Sequence, residues 1–293
     1  MSLILGSHVG FNNKTQLLGS VEEAISYNAN TFMFYTGPAQ STIRSSIDEN
    51  ITHEAYSLMA NNNINPDNVI VHSPYIVNFA NKTDIDKYNF YINFFVEELN
   101  RVNALGFNKI VLHPGNAVKC TREEGLSNIV EALDTILSKT KDTIILLETM
   151  AGKGNELGIN IDEIKYLLDN VKEKERVCVC LDTCHLNDSG IDINKFDEYL
   201  DTFDKYIGID KIKCVHVNDS MNPIGSHKDR HQNIGYGTIG FDALCNVIYN
   251  PRLDGIPFIL ETPWVNRNQD NEYPPYKFEI EAFRKEKFID FIQ

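Results

Sequence analysis

The chain is predicted to fold as a (β/α)8, or TIM, barrel, a single domain spanning residues 1–293. Three observations carry this prediction. Short apolar runs alternate eight times with longer amphipathic segments. The runs are apolar throughout and often β-branched, as strands covered on both faces require. No Gly-rich phosphate-binding turn follows the first run, which disfavours the rival open, doubly wound sheet. A length of 293 residues suits one such barrel, and 42% hydrophobic with 23% charged residues is an ordinary globular composition.

The predicted strands, in order, are Leu3–His8, Thr31–Tyr35, Val69–His72, Lys109–His113, Thr143–Glu148, Val177–Asp182, Ile212–Asn218 and Phe258–Glu261. The predicted helices are Gln16–Tyr27, Thr52–Asn62, Asp84–Leu105, Glu123–Ser138, Ile161–Asn170, Ile193–Tyr206, Phe241–Ile248 and Lys277–Phe291. Thr121 and Asn160 stand where N-caps belong, and Gly106 stands where a helix-ending glycine belongs. The long polar stretch Trp264–Tyr276 is placed to cover one barrel end.

A formal net charge of −14 argues against a general nucleic-acid binder. Carboxylates that hold divalent cations, however, add to the negative count while presenting a positive site once loaded. The six cysteines make a poor disulfide framework, because Cys178 and Cys180 point the same way along one strand; reduced core thiols are expected. The N-terminal segment has no basic region and only a three-residue apolar run, and no run reaches a membrane span. A cytoplasmic or other intracellular setting without a signal peptide is expected.

Position is the informative feature of the polar residues. Successive runs end at His72, His113, Glu148, Asp182, His216 and Glu261, with His185 three residues past Asp182. A polar, glycine-bearing loop adds the D-x-H unit Asp229–Arg230–His231. In a barrel, strand C-terminal ends and the following loops form one face, where active sites lie. A lone His at a strand end is usually structural, and a lone Glu there pairs with a cation. Nine such groups on one rim, left unpartnered, would cost several kcal/mol each, and metal coordination removes that cost. Nine donors exceed the four of one zinc and fit two or three ions sharing carboxylates. Such clusters recur in phosphoryl-ester hydrolysis. Glu148 and Glu261 are the bridging or base candidates, hence the catalytic ones.

On these residues the chain resembles the endonuclease IV family of abasic-site DNA-repair nucleases. The resemblance runs from GSHVG to LETP and is densest in HSPYIVN (72–78), HPG (113–115), LETMAGKG (147–154), LDTCH (181–185), HVNDS (216–220), KDRH (228–231) and GYGTIG (235–240). It implies three zinc ions, with Mn2+ an option at one site. Glu148 would bridge two ions, His72 and His113 sharing one of them. Asp182, His216 and Glu261 would hold a second, and His185, Asp229 and His231 the third. The implied reaction cuts duplex DNA 5′ to an abasic site, leaving a 3′-hydroxyl and a 5′-deoxyribose phosphate, with trimming of blocked 3′ ends. A monomer is implied.

The resemblance also implies wedging of the duplex by rim loops, with Tyr75 and Ile76 at the wedge positions. Gln40 stands where relatives often carry an arginine, which weakens part of that wedge. Arg230 and Lys153 read as phosphate contacts or as solvated charges, and His227 as a further polar contact. His8 reads as a supporting group, His53 as exposed on a helix and Cys184 as a packed thiol. Two other classes stay open on the residues alone. A metal-dependent sugar isomerase also gathers Glu, Asp and His at strand ends, but leaves the D-x-H loop surplus. A non-catalytic metal-bearing barrel needs no open position.

Overall fold

A computed structural model describes residues 3–292. Its strands are β1 (Leu5–Val9), β2 (Thr31–Phe34), β3 (Ile70–His72), β4 (Lys109–Leu112), β5 (Ile144–Glu148), β6 (Val177–Asp182), β7 (Ile212–His216) and β8 (Phe258–Leu260). They close in the order β1-β8-β7-β6-β5-β4-β3-β2, every pairing parallel. The predicted (β/α)8 barrel is therefore the fold. Its backbone crowds where β1 crosses β2: a Cβ on Gly6 would lie 1.8 Å from the Thr31 carbonyl oxygen, so only glycine fits there.

The helices are α1 (Gln16–Ser26), α2 (Glu49–Asn61), α3 (Ile85–Ala104), α4 (Arg122–Lys139), α5 (Ile161–Asn170), α6 (Thr183–Ser189), α7 (Phe196–Tyr206), α8 (Phe241–Ile248) and α9 (Tyr276–Arg284). The expected caps hold: Thr121 and Glu124 form a capping box on α4, Asn160 caps α5, and Gly106 follows α3 at φ +82°. Beyond end shifts of one or two residues, four features differ from expectation. α2 begins at Glu49, because Asp48 accepts the Asn50 and Ile51 amides and so caps it earlier. α9 ends at Arg284 rather than Phe291, since Phe288 and Phe291 pack on Tyr236 instead of continuing a helical stripe. Ile193–Lys195 forms a 3-10 turn before α7. The seven-residue α6 had no periodic signal of its own.

Alternation along the strands separates two cores. Phe32 and Phe34, Ile110 and Leu112, and Ile145 and Leu147 face the helices. Between them, Met33, Val111 and Leu146 face inward, joined there by Ile70, Cys178, Cys180, Cys214 and Ile259. One irregularity interrupts the ladder. The β6–β7 register shifts between Val179, opposite Ile212, and Cys180, opposite Cys214. The extra residue on β7 is Lys213, and the shift brings Cys214 inward beside Cys180.

Candidate metal centre

The inward face continues upward by the two-residue strand period. Ile70 leads to His72, Val111 to His113, Leu146 to Glu148, Cys180 to Asp182, Cys214 to His216 and Ile259 to Glu261. All six strand-derived candidates therefore stand one step above the apolar interior and face one another at the C-terminal mouth. Glu148, 1% exposed, is their centre. Its Oε2 lies 3.3 Å from His72 Nε2 and 3.2 Å from His113 Nε2; its Oε1 lies 3.2 Å from His185 Nδ1 and 3.3 Å from His216 Nδ1. His216 Nδ1 is also 3.0 Å from Glu261 Oε2 and 3.9 Å from Asp182 Oδ2.

His185 reaches the mouth from α6, whose N-cap is Asp182: Asp182 Oδ1 accepts the His185 amide at 2.7 Å. The D-x-H loop supplies the other side. Asp229 Oδ1 lies 3.1 Å from His185 Nε2 and 3.6 Å from His231 Nε2, and Asp182 Oδ2 is 3.8 Å from His231 Nε2. The structure thus brings all nine predicted donors together. Three groups have donor atoms mutually within 4.8 Å: His72, His113 and Glu148; Glu148, Asp182, His216 and Glu261; and Asp182, His185 and His231. Asp182, with one oxygen toward His216 and His231, stands between the second and third groups, while Asp229 flanks the third.

Polar partners fix how these groups point. His72 Nδ1 is bonded to the Ser73 carbonyl at 2.7 Å and His231 Nδ1 to the Glu261 carbonyl at 3.2 Å, so each Nε2 faces the cluster. Asn218 donates to Asp182 Oδ2 at 2.8 Å and accepts the Glu261 amide at 2.9 Å, tying two strand ends together. The D-x-H loop is held by Asp188, a fully buried carboxylate on α6. Its Oδ2 accepts the Asp229 amide at 2.9 Å, its Oδ1 accepts Ser220 Oγ at 2.7 Å, and its carbonyl accepts the His227 amide at 2.9 Å. Asp229 needs that support, having a left-handed φ of +56°.

The GYGTIG stretch wraps a second buried carboxylate. Asp219 accepts amides from Ser220, Gly235, Gly237, Ile239 and Gly240. A Cβ on Gly237 would stand 2.3 Å from Asp219 Oδ1, which explains that glycine.

Burial pushes the Glu148 carboxyl up, but the His216 and His113 imidazoles outweigh it and hold the group well below the usual range. Glu261 is lowered in the same way by His216, and Asp229 is pulled down to about 2 by His185 and His231 against burial. Burial pushes His185 and His216 down, yet Asp182, Asp229 and Glu148 carry His185, and Cys180, Glu261 and Glu148 carry His216, well above an ordinary imidazole. The carboxylates are therefore anionic, and the imidazoles are held beside them. His231 Nε2 is buried with no hydrogen-bond partner, a lone pair aimed into the cluster. Nitrogen and oxygen donors, spacing and this orphaned atom all fit divalent cations.

Two neighbours had weaker sequence signals. His8 and Tyr35 occupy the same inward level on the first two strands, their rings 4.8 Å apart, with Tyr35 5.1 Å from the His72 ring. Burial outweighs Glu261 and pushes His8 down to about 4, leaving a neutral imidazole. His8 thus takes the supporting place expected of it, and the two-residue period from Met33 could have found Tyr35. Of the predicted DNA contacts, Tyr75 is 47% exposed in the turn after β3, beside partly buried Ile76. Both line a cavity of about 330 Å3 with His113, Asn116, Lys87 and Tyr91. Gln40 is exposed in the turn after β2, and Arg230 and Lys153 are exposed on their loops. The arginine in the β2 loop, Arg44, is committed elsewhere, paired with buried Glu98 at 2.7 Å. All six cysteines are free, Cys178, Cys180, Cys184 and Cys214 buried. Among the described residues, no helix is long and apolar enough to cross a membrane.

Fold and mouth together define a xylose isomerase-like TIM barrel, and that family matches residues 21–286. Several sugar-converting enzymes share the architecture; a D-tagatose 3-epimerase-like protein superimposes with a TM-score of 0.68 over 96% of each chain, at 17% identity. Within this class the chain belongs to the endonuclease IV family. It is 47% identical to the probable endonuclease 4 of Ureaplasma parvum, covering 99% of this chain and 96% of that protein. It is 46% identical to that of Oceanobacillus iheyensis, covering 97% and 95%. Endonuclease IV from Thermus thermophilus superimposes with a TM-score of 0.80 at 26% identity, covering 96% of this chain and 97% of that one.

Proposed function

We propose that this protein is a DNA-repair endonuclease acting at abasic sites. It cleaves the phosphodiester 5′ to the lesion in duplex DNA, leaves a 3′-hydroxyl and a 5′-deoxyribose phosphate, and trims blocked 3′ ends. The observation that carries the reading is the single inward level from which six strand ends present imidazole and carboxylate to one point, in a chain of this family.

His72, His113 and Glu148 would hold one cation, Glu148, Asp182, His216 and Glu261 a second, and His185, Asp229 and His231 a third; zinc suits all three and Mn2+ one of them. Bound there, the ions supply Lewis acidity to the scissile phosphate and to the leaving oxygen of an in-line displacement. Glu148 joins the first two positions, and its lowered pKa keeps it anionic. Glu261, on the rim and held by His216, is the second catalytic carboxylate and is placed to orient the attacking water. Tyr75 and Ile76 wedge into the stack where the base is missing, which costs least at such a site. Gln40, in the turn after β2, and Arg230, in the D-x-H loop, are both exposed and would meet the DNA backbone.

The test is a duplex carrying one abasic site, incubated with and without chelator. Chelator-sensitive nicking 5′ to the lesion is expected. Ketose–aldose interconversion without nicking would instead establish a sugar isomerase. In Glu261→Gln, nicking is abolished while abasic-duplex binding survives; full turnover in that variant would remove Glu261 from the catalytic set.

A further inference from the structure

Directly beneath the mouth lie two cysteines that the nuclease chemistry leaves unused, beside the lower edge of the donor His216. Cys180, Cys214 and His216 are fully buried, and their two sulfurs and one imidazole nitrogen lie within 4.8 Å of one another. His216 Nδ1 is turned upward to Glu148 and Glu261. Its other nitrogen, Nε2, is buried and has no hydrogen-bond partner. The cysteines meet because of the β6–β7 register shift: the unbroken ladder would set Lys213 opposite Cys180, and the shift sets Cys214 there.

We propose that Cys180, Cys214 and His216 form a separate site for a thiophilic cation of the Cd2+ or Cu+ type. Metal–sulfur distances of about 2.3 Å and metal–nitrogen distances of about 2.0 Å set donors roughly 4 Å apart around one ion. The trio's donor atoms, all within 4.8 Å of one another, can meet on one ion. Thiolate sulfur selects soft ions, whereas the mouth above offers only nitrogen and oxygen. The surroundings, Leu146, Val111 and Ile259, are apolar. Two thiolates with a divalent cation are neutral as a set, the form such an interior tolerates. On binding Cd2+ to the metal-loaded protein, two S–H bonds and the His216 Nε2–H bond break, while two Cd–S bonds and one Cd–N bond form; three protons pass to solvent and no electron moves. The two sites share one imidazole, so an ion on Nε2 takes the place of its proton and His216 bridges the two sites as an imidazolate. The barrel thereby sorts cations by softness.

The experiment titrates the metal-loaded wild-type protein with Cd2+ and follows the ultraviolet sulfur-to-cadmium charge-transfer band. It needs no DNA, so its result is independent of whether the protein nicks abasic sites. Saturation near a single equivalent is expected in wild type and in Cys184→Ser, which keeps the trio. The band should vanish in the Cys180→Ser, Cys214→Ser double variant. If the double variant does not fold, Cys214→Ala alone should raise the Cd2+ needed for half-saturation by roughly tenfold or more. No band in wild type, an undiminished band without the two cysteines, or its loss in Cys184→Ser overturns the proposal.

Discussion

The mouth of the barrel is built in two ways. His72, Glu148, Asp182 and His216 sit on strands and are almost fully buried, whereas Asp229 and His231 come from a loop and keep 31% and 21% of their side-chain surface exposed. The strand-borne groups inherit their direction from the pleat: each stands two residues above an inward apolar or sulfur side chain. The loop-borne pair has no such scaffold. It depends on Asp188, on the short hairpin pairing Asp219–Ser220 with His231–Gln232, and on a left-handed Asp229. Backbone periodicity positions donors without further help; a loop needs a polar second layer to do the same.

Substitutions graded by region break or sharpen this contrast. Glu148→Gln should be the most severe, lowering nicking by roughly a thousand-fold, because the carboxylate faces four imidazoles at once. Steady-state rates on an abasic duplex measure this, and a loss under tenfold would deny Glu148 its central place. Asp229→Ala should cost about a hundred-fold and release a single ion per molecule while the strand-borne pair stays loaded. Metal analysis after dialysis decides it; loss of every ion would show that the halves are not separable. Asp188→Ala, which touches no donor side chain, should weaken the same ion by about 10- to 100-fold, and Asp188→Asn by less. Equal damage to the strand-borne ions would place Asp188 in the general framework instead.

Tyr75→Ala should reduce affinity for abasic duplex by about tenfold with metal content intact, consistent with one stacking contact of about 1–3 kcal/mol. A parallel fall in metal content would make Tyr75 structural.

The last effect lies outside both regions and leaves nicking unchanged. Burial pushes Glu279 up to about 7 from its ordinary value of 4.5, although Thr262, Ile234 and Asn233 donate to it. A carboxyl raised in the folded state confers its full relative stability below the unfolded pKa and loses it as pH rises toward the folded one. Stability should therefore fall by at most about 3 kcal/mol between pH 4.5 and 7 on this account. Glu279→Gln should flatten that slope without altering nicking; thermal melts showing the wild-type slope in the variant would locate the pH dependence elsewhere.

The strand-borne half was legible in the sequence because short apolar runs end in His, Glu or Asp, and a parallel barrel gathers such ends on one rim. The same rule applied to TFMFY would have found Tyr35, the neighbour of the already expected His8. Other features were not legible. The helix α6 is too short to show a period, so His185 could be placed beyond its strand but not on a helix aimed by Asp182. Asp188 reads as one more acidic residue until the fold sets it under the Asp229 amide.

The amino-acid order alone determined the barrel, the rim and the nine candidate donors, since period-two burial and strand-end chemistry are local properties of the chain. Only the tertiary structure decided how those donors group, with Asp182 standing between two clusters, and that Cys214 meets Cys180 under His216. The reason is physical: a ladder slip and a loop closure change which atoms are neighbours through space while leaving hydrophobic periodicity untouched.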